Sequence, residues 1–156
     1  MVRFIFTALF IIVSAPILQA KEPISINRVS QGYKETEVYK TVRSYFSKGE
    51  AEQRRYIVRT QEEHSEGFYF IAELEGSVTT LPEGSRLQLE VITPYSAEPR
   101  SYSFILPKHD KHTWEIHAGL TGSDWPDADA RPLAWKLTLV DQAGTELSEF
   151  KSFLWE

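Results

Sequence analysis

The stretch SDWPDADARP, residues 123–132, gathers three aspartates around a tryptophan-proline pair. Asp124, Asp127 and Asp129 carry hard oxygen donors, and a backbone curled about a Ca2+ ion would let them fill part of a shell of roughly six to eight ligands. Their spacing does not fit the EF-hand register, which needs a glycine at the sixth position and a glutamate at the twelfth. Pro126 and Pro132 suit a plain surface crossing between strands, with Trp125 tucked against the end of the domain as a plug. The expectation is therefore a metal-free loop.

A second group of metal-ligand types is His109, Asp110, His112 and His117. Neutral imidazoles and a carboxylate suit zinc. The first three sit in KHDKH, however, where Lys108 and Lys111 raise the cost of placing a cation, and a polar turn accounts for the composition. Glu73 and Glu75 share one strand face, as the two acids of a glycosidase can, although paired surface glutamates also serve solubility. The chain has no G-x-S-x-G elbow, H-E-x-x-H helix, phosphate-binding glycine loop or dinucleotide fingerprint. A non-catalytic protein without a cofactor is expected.

Aromatic rings offer a different chemistry, because sugars stack on flat apolar faces that also carry a polar tip. Tyr95, Trp125 and Trp155 fall outside the apolar stripes of the predicted strands and are the candidate binding rings. Trp114 and Trp135 fall within stripes and are assigned to the core.

The elements that must position these residues are strands. Apolar residues alternate in Tyr56-Val58, in Phe68-Phe70-Ala72-Leu74, in Leu87-Leu89-Val91 and in Tyr102-Phe104-Leu106. They alternate again in Trp114-Ile116-Ala118, where Glu115 and His117 are expected to face out, and in Leu133-Trp135-Leu137-Leu139. Period two is the signature of a half-buried strand. Asp141 to Gly144 reads as a hairpin loop into a last strand, Glu146 to Trp155, which makes about seven. One segment departs from this pattern: Val38, Val42, Tyr45 and Phe46 recur at helical spacing, predicting a short helix over Thr36 to Ser47. Such a helix needs an apolar surface to cover, and Ile57, Tyr69 and Ile71 on the second face of the early strands would supply one.

The closing hairpin, LAWKLTLVDQAGTELSEFKSFLW, resembles those of immunoglobulin-like and fibronectin type III-like bacterial domains. The resemblance implies a mostly β, antiparallel sandwich of about seven strands, here with one short N-terminal helix. The cysteine pair and intervening tryptophan of true immunoglobulin domains are missing, so the resemblance carries no function with it.

Residues 1–20 read as a secretory signal peptide: Arg3 is the only charge, Phe4 to Val13 is almost wholly apolar, and Ala20 offers a small residue at the cut. The expected organisation is a signal peptide at 1–20, an extension with a short helix at 21–52, and a sandwich at 53–156. Past residue 20 there are 16 basic and 22 acidic side chains, and 16 minus 22 gives −6, which argues against nucleic acid as a partner. Arg28 to Arg59 holds eight basic residues against four glutamates, whereas Gln61 to Pro99 holds eight glutamates and one arginine. Those oppositely charged regions are expected to lie near each other. No cysteine is present, so the domain must be held by its core. The expected role is a periplasmic or secreted non-catalytic module that binds an envelope protein or serves structurally, without stable membrane insertion once the signal is cut. Carbohydrate recognition, calcium binding and a dispersed enzyme site are the alternatives.

Overall fold

A computed structural model describes residues 24–35, 56–106, 108 and 112–155. The signal segment, the helix expected at Thr36 to Ser47, and His109 and Asp110 lie outside the described residues.

Eight strands are described: β1 Ser25–Lys34, β2 Tyr56–Arg59, β3 Gly67–Glu75, β4 Arg86–Thr93, β5 Ser96–Ile105, β6 Glu115–Thr121, β7 Ala134–Val140 and β8 Glu146–Lys151. They form two four-stranded sheets, ordered β1-β3-β6-β2 and β5-β4-β7-β8. Phe68, Phe70, Ala72 and Leu74 from β3 and Ile116, Ala118 and Leu120 from β6 form one wall of the core. Leu87, Leu89 and Val91 from β4 and Trp135, Leu137 and Leu139 from β7 form the other. These are the stripes that the alternation marks, because a pleat sends every second side chain to the same face. The result is a mostly β sandwich.

Two features depart from the expected arrangement. The first is β1, which pairs antiparallel with β3 from Ser25↔Glu75 to Lys34↔Gly67 and so makes the strand count eight. Its pairing slips between Ile26 and Arg28, and this bulge puts Val29 rather than Arg28 on the core side with Ile26. A bulge breaks the two-residue period, which hides the strand from a reading by alternation. The second is β2, which pairs parallel with β6, from Tyr56↔Ile116 to Arg59↔Gly119, so the first sheet is mixed.

Side-chain placement also differs at three positions. Trp114 and Leu133 are exposed, at 58% and 55%, although each extends an apolar stripe. Each lies one residue ahead of its strand, where the chain is a connection: Leu74 N–H donates to Trp114 O at 2.8 Å and Leu133 N–H to Ile92 O at 2.8 Å. Alternation loses its meaning where the pleat ends. His117, expected to face out, is buried between Ile57 and Ile71 in register and meets Glu115 Oε2 at 3.1 Å.

Tyr69, beside it on the outer face, is fully buried as well. Its hydroxyl donates to Ser65 O at 2.7 Å and accepts from Arg59 Nε at 2.8 Å, so the chain between β2 and β3 is tied over its ring. Gly119 makes room: a Cβ there would meet the Tyr69 ring at 2.5 Å. Burial pushes the Tyr69 pKa up, and the Arg59 guanidinium partly offsets it. The charge regions do meet at Arg28 and Glu73, 3.6 Å apart, an exposed pair of small energetic weight.

Candidate functional site

Two of the three candidate rings are brought together at one end of the sandwich. Tyr95 sits in the tight turn joining β4 to β5, and Trp125 follows the short 3-10 turn Gly122–Asp124 that leaves β6. Gly122 opens that turn at φ 58, a left-handed conformation open to glycine at little cost. Trp125 N–H then donates to Gly122 O at 3.2 Å and closes it.

The loop is held from beneath by a reciprocal polar clasp. Gln61 N–H donates to Thr121 Oγ1 at 3.0 Å, Thr121 O–H donates back to Gln61 O at 2.9 Å, and Thr121 N–H donates to Thr60 Oγ1 at 3.0 Å. Gln61 Nε2 reaches Ser123 Oγ at 2.7 Å. Backbone groups at the end of a parallel pair are thus satisfied locally, which fixes where the chain departs. Trp125 is then set against the Phe68 ring at a centroid distance of 4.7 Å and is only 3% exposed. It is a plug, as its place between two strands suggests.

Above it lies a cavity of about 250 Å3 lined by Thr93, Tyr95, Arg100, Ser123, Asp124, Trp125, Pro126 and Asp127. Tyr95 stands at the mouth, 61% exposed, and its hydroxyl donates to Asp127 Oδ2 at 2.6 Å. This hydrogen bond raises the Tyr95 pKa and is the main cause of a lowered Asp127 pKa, helped by the Asp129 N–H on Asp127 Oδ1 at 2.9 Å. Arg131 closes the far side of the loop, donating to Ala128 O at 2.9 Å and Ala130 O at 2.8 Å.

Two lining groups are left without partners. Trp125 Nε1 and Thr93 Oγ1 are both shut off from solvent and neither has a hydrogen-bond partner. An unsatisfied buried donor costs about 1–3 kcal/mol, so native proteins seldom keep one without a use for it. Both residues line the cavity, but these two atoms are turned away from it. The carboxylates of Asp124 and Asp127, the Arg100 guanidinium and the exposed Tyr95 ring suit a ligand that both gives and accepts hydrogen bonds.

The other candidates are placed elsewhere. Trp155 is half-buried with Lys136 Nζ 5.5 Å from its ring, on the outer side of the second sheet, and does not line the cavity. Asp124 lines the cavity, and Gln61 Nε2 lies 3.4 Å from its Oδ2. Asp129 contributes its N–H to the loop and is not a lining residue. Among the described residues no group of three His, Cys, Asp or Glu side chains is arranged to hold a metal ion. His112 is exposed and His117 is buried in the first sheet. Glu73 is half-buried beside Arg28, while Glu75 accepts from Ser25 Oγ at 3.1 Å.

No protein-family model, curated protein or solved structure matches this chain.

Sequence reasoning passes over Thr93 and Arg100. Thr93 is the last residue of β4 and Arg100 lies within β5; neither belongs to a motif. A bulge between Val91 and Thr93 shapes this end of the β4-β5 pair. Only pairing the strands shows that these residues face one cavity with a loop some thirty residues later.

Proposed function

We propose that the domain is a non-catalytic binding module, working after export from the cytoplasm, whose site is the Tyr95-Trp125 cavity and whose ligand is a carbohydrate. One observation carries the reading: two aromatic side chains 30 positions apart, Tyr95 and Trp125, share a small cavity with Arg100, Asp124 and Asp127. Sugars present apolar faces to exposed rings and hydroxyls to charged side chains, a pairing that the exposed Tyr95 ring and these three charged groups offer, with Trp125 as the buried floor. The apolar, lightly charged segment at residues 1–20 supports export.

The strand orders support the narrower likeness to immunoglobulin-like domains. Naming strands in that manner, β1, β3 and β6 correspond to A, B and E, and β4, β7 and β8 to C, F and G, with β5 added beside C. In this reading β2, inserted between A and B, takes the outer edge of E. Such frames host many unrelated functions, and the ligand class follows from the cavity alone.

The test is a glycan array probed with the full chain, its Tyr95→Ala and its Arg100→Ala. Binding that both substitutions abolish, with unchanged melting, supports the reading. Glycan binding indifferent to both places the site elsewhere.

A second reading, docking of an envelope protein, is favoured by the cleft of about 880 Å3 lined by Ile57 and Val58 of β2 and Tyr102 and Ile105 of β5. Ile105 is 71% exposed there, an apolar side chain on β5, the end strand of its sheet among the described residues. Capture of a protein that Ile105→Asp releases and Tyr95→Ala does not would favour this reading.

A further inference from the structure

The end cavity and the cleft between β2 and β5 adjoin at Asp124. Asp124 lines both, and Tyr102, next but one along β5 from Arg100, lines the cleft where Arg100 lines the cavity. Arg100 and Asp124 both act on the Tyr102 hydroxyl, the first holding its pKa down and the second raising it, while burial is the larger influence and raises it. The two spaces thus share a wall of side chains that contact one another.

Their sizes differ in a way that suits a chain with one end. The cavity is about 250 Å3 and has the buried Trp125 and Thr93 in its lining, whereas the cleft is more than three times larger, at about 880 Å3. What fits is a terminal unit, with the rest of the molecule leaving along the cleft.

Charge narrows the class. Asp124 and Asp127 face Arg100 in the cavity, and Glu62 and Arg59 line the cleft with Asp124. A polyanion would meet Asp124, Asp127 and Glu62, and a polycation would meet Arg100 and Arg59, so each would leave like charges facing at close range. Neutral hydroxyls can donate to the carboxylates and accept from the guanidinium.

We propose that the site takes the terminal ring of a neutral oligosaccharide in the Tyr95-Trp125 cavity and the following rings in the cleft between β2 and β5. This rests on the carbohydrate reading above and adds the orientation, length and charge of the ligand. The Tyr95-Asp127 hydrogen bond lies in the cavity lining. A ligand hydroxyl replaces the phenol on Asp127, and further ligand oxygens accept from the Arg100 guanidinium in the same lining.

Calorimetric titration of the full chain with neutral hexoses, N-acetylhexosamines and their linear oligomers tests this, with hexuronate oligomers as the charged control. Affinity is expected to climb with length, by about tenfold per ring that enters the cleft. Ile105→Ser, at an exposed cleft position, should remove the gain with length and leave single-sugar binding unchanged. Arg100→Ala should weaken single sugars and oligomers alike. Neutral sugars that bind with no length dependence, or hexuronates that bind as well as neutral chains, would overturn the proposal and leave the cavity as a simple sugar pocket. If no sugar binds, or if binding ignores Arg100→Ala, the carbohydrate reading itself fails. A peptide that displaces the oligomers' length-dependent gain only, with single sugars unaffected, supports the cleft as the second part of the site.

Discussion

The Tyr95 hydroxyl and the Asp127 carboxylate, 2.6 Å apart, join the β4-β5 turn to the loop that follows β6. Each is exposed, so the link is a local switch on loop position and not a pillar of the fold. Its hydrogen bond lowers the Asp127 pKa from the ordinary 3.8. A depressed carboxylate contributes stability that is present above its unfolded pKa and lost as pH falls through its folded value. Tyr95→Phe should move the Asp127 titration up toward 3.8, read by carbon NMR of the carboxyl, with little change in melting near neutral pH. An unmoved titration would show that the phenol does not hold Asp127 in solution.

Trp135 lies across the core from the first sheet, 5.5 Å from Phe70 edge-on and stacked 6.2 Å from Phe150. Trp135→Ala should cost roughly 3–5 kcal/mol, the usual loss for emptying a large aromatic site. Denaturant melting checks it. A loss under about 1 kcal/mol would mean that the core closes over the gap.

Gly119→Ala probes the outer face of the first sheet. The new methyl would meet ring carbons of Tyr69 at 2.5–2.7 Å, and that ring is held by Ser65 and Arg59. A destabilisation of about 1–3 kcal/mol is expected from the forced shift. In a Tyr69→Ala background Gly119→Ala should cost less than in the parent, because the ring that clashes is gone.

Tyr56, buried in the core, has its pKa pushed up to about 12 by burial. The fold favours the neutral phenol, so this contribution is full below the ordinary 10.0 and is lost as pH rises toward 12. Alkaline unfolding followed by circular dichroism should therefore steepen across that window in the parent. Tyr56→Phe, with nothing to ionise there, should lose less. Identical alkaline curves would contradict the assignment.

Calcium should leave the melting temperature unchanged. Asp127 is engaged by Tyr95 and by the Asp129 N–H, and Asp124 lies beside Gln61, so the three carboxylates do not converge. A real site at 100 times its dissociation constant would add about 2.7 kcal/mol, seen as a shift of several degrees. A calcium-dependent rise that vanishes when Asp124, Asp127 and Asp129 are all replaced by asparagine would make SDWPDADARP a metal loop after all.

What the sequence determined is the strand content and the core. Phe68, Phe70, Leu87, Leu89, Leu137 and Leu139 fall on inner faces because alternation in a regular strand is a local property of the pleat. Where the pleat is interrupted the rule ends. The bulge in β1 hides that strand, and the stripes overrun into Trp114 and Leu133 by one residue each. Burial of Tyr69 and His117 on the outer face is not legible either, since it depends on Gly119 having no side chain and on the chain tied over Tyr69 at Ser65.

The candidate site divides along the same line. Tyr95 and Trp125 can be named from residue type and from their places outside the stripes, but their meeting cannot. It depends on β4 lying between β5 and β7, on the β4-β5 turn reaching the loop after β6, and on the Gln61-Thr121 clasp that aims that loop. The same geometry adds Thr93 and Arg100 to the cavity and leaves Trp155 beside Lys136. Residue type fixes what a side chain can do chemically, whereas long-range pairing fixes what it does it with, and pairing between strands far apart in the chain leaves no local mark.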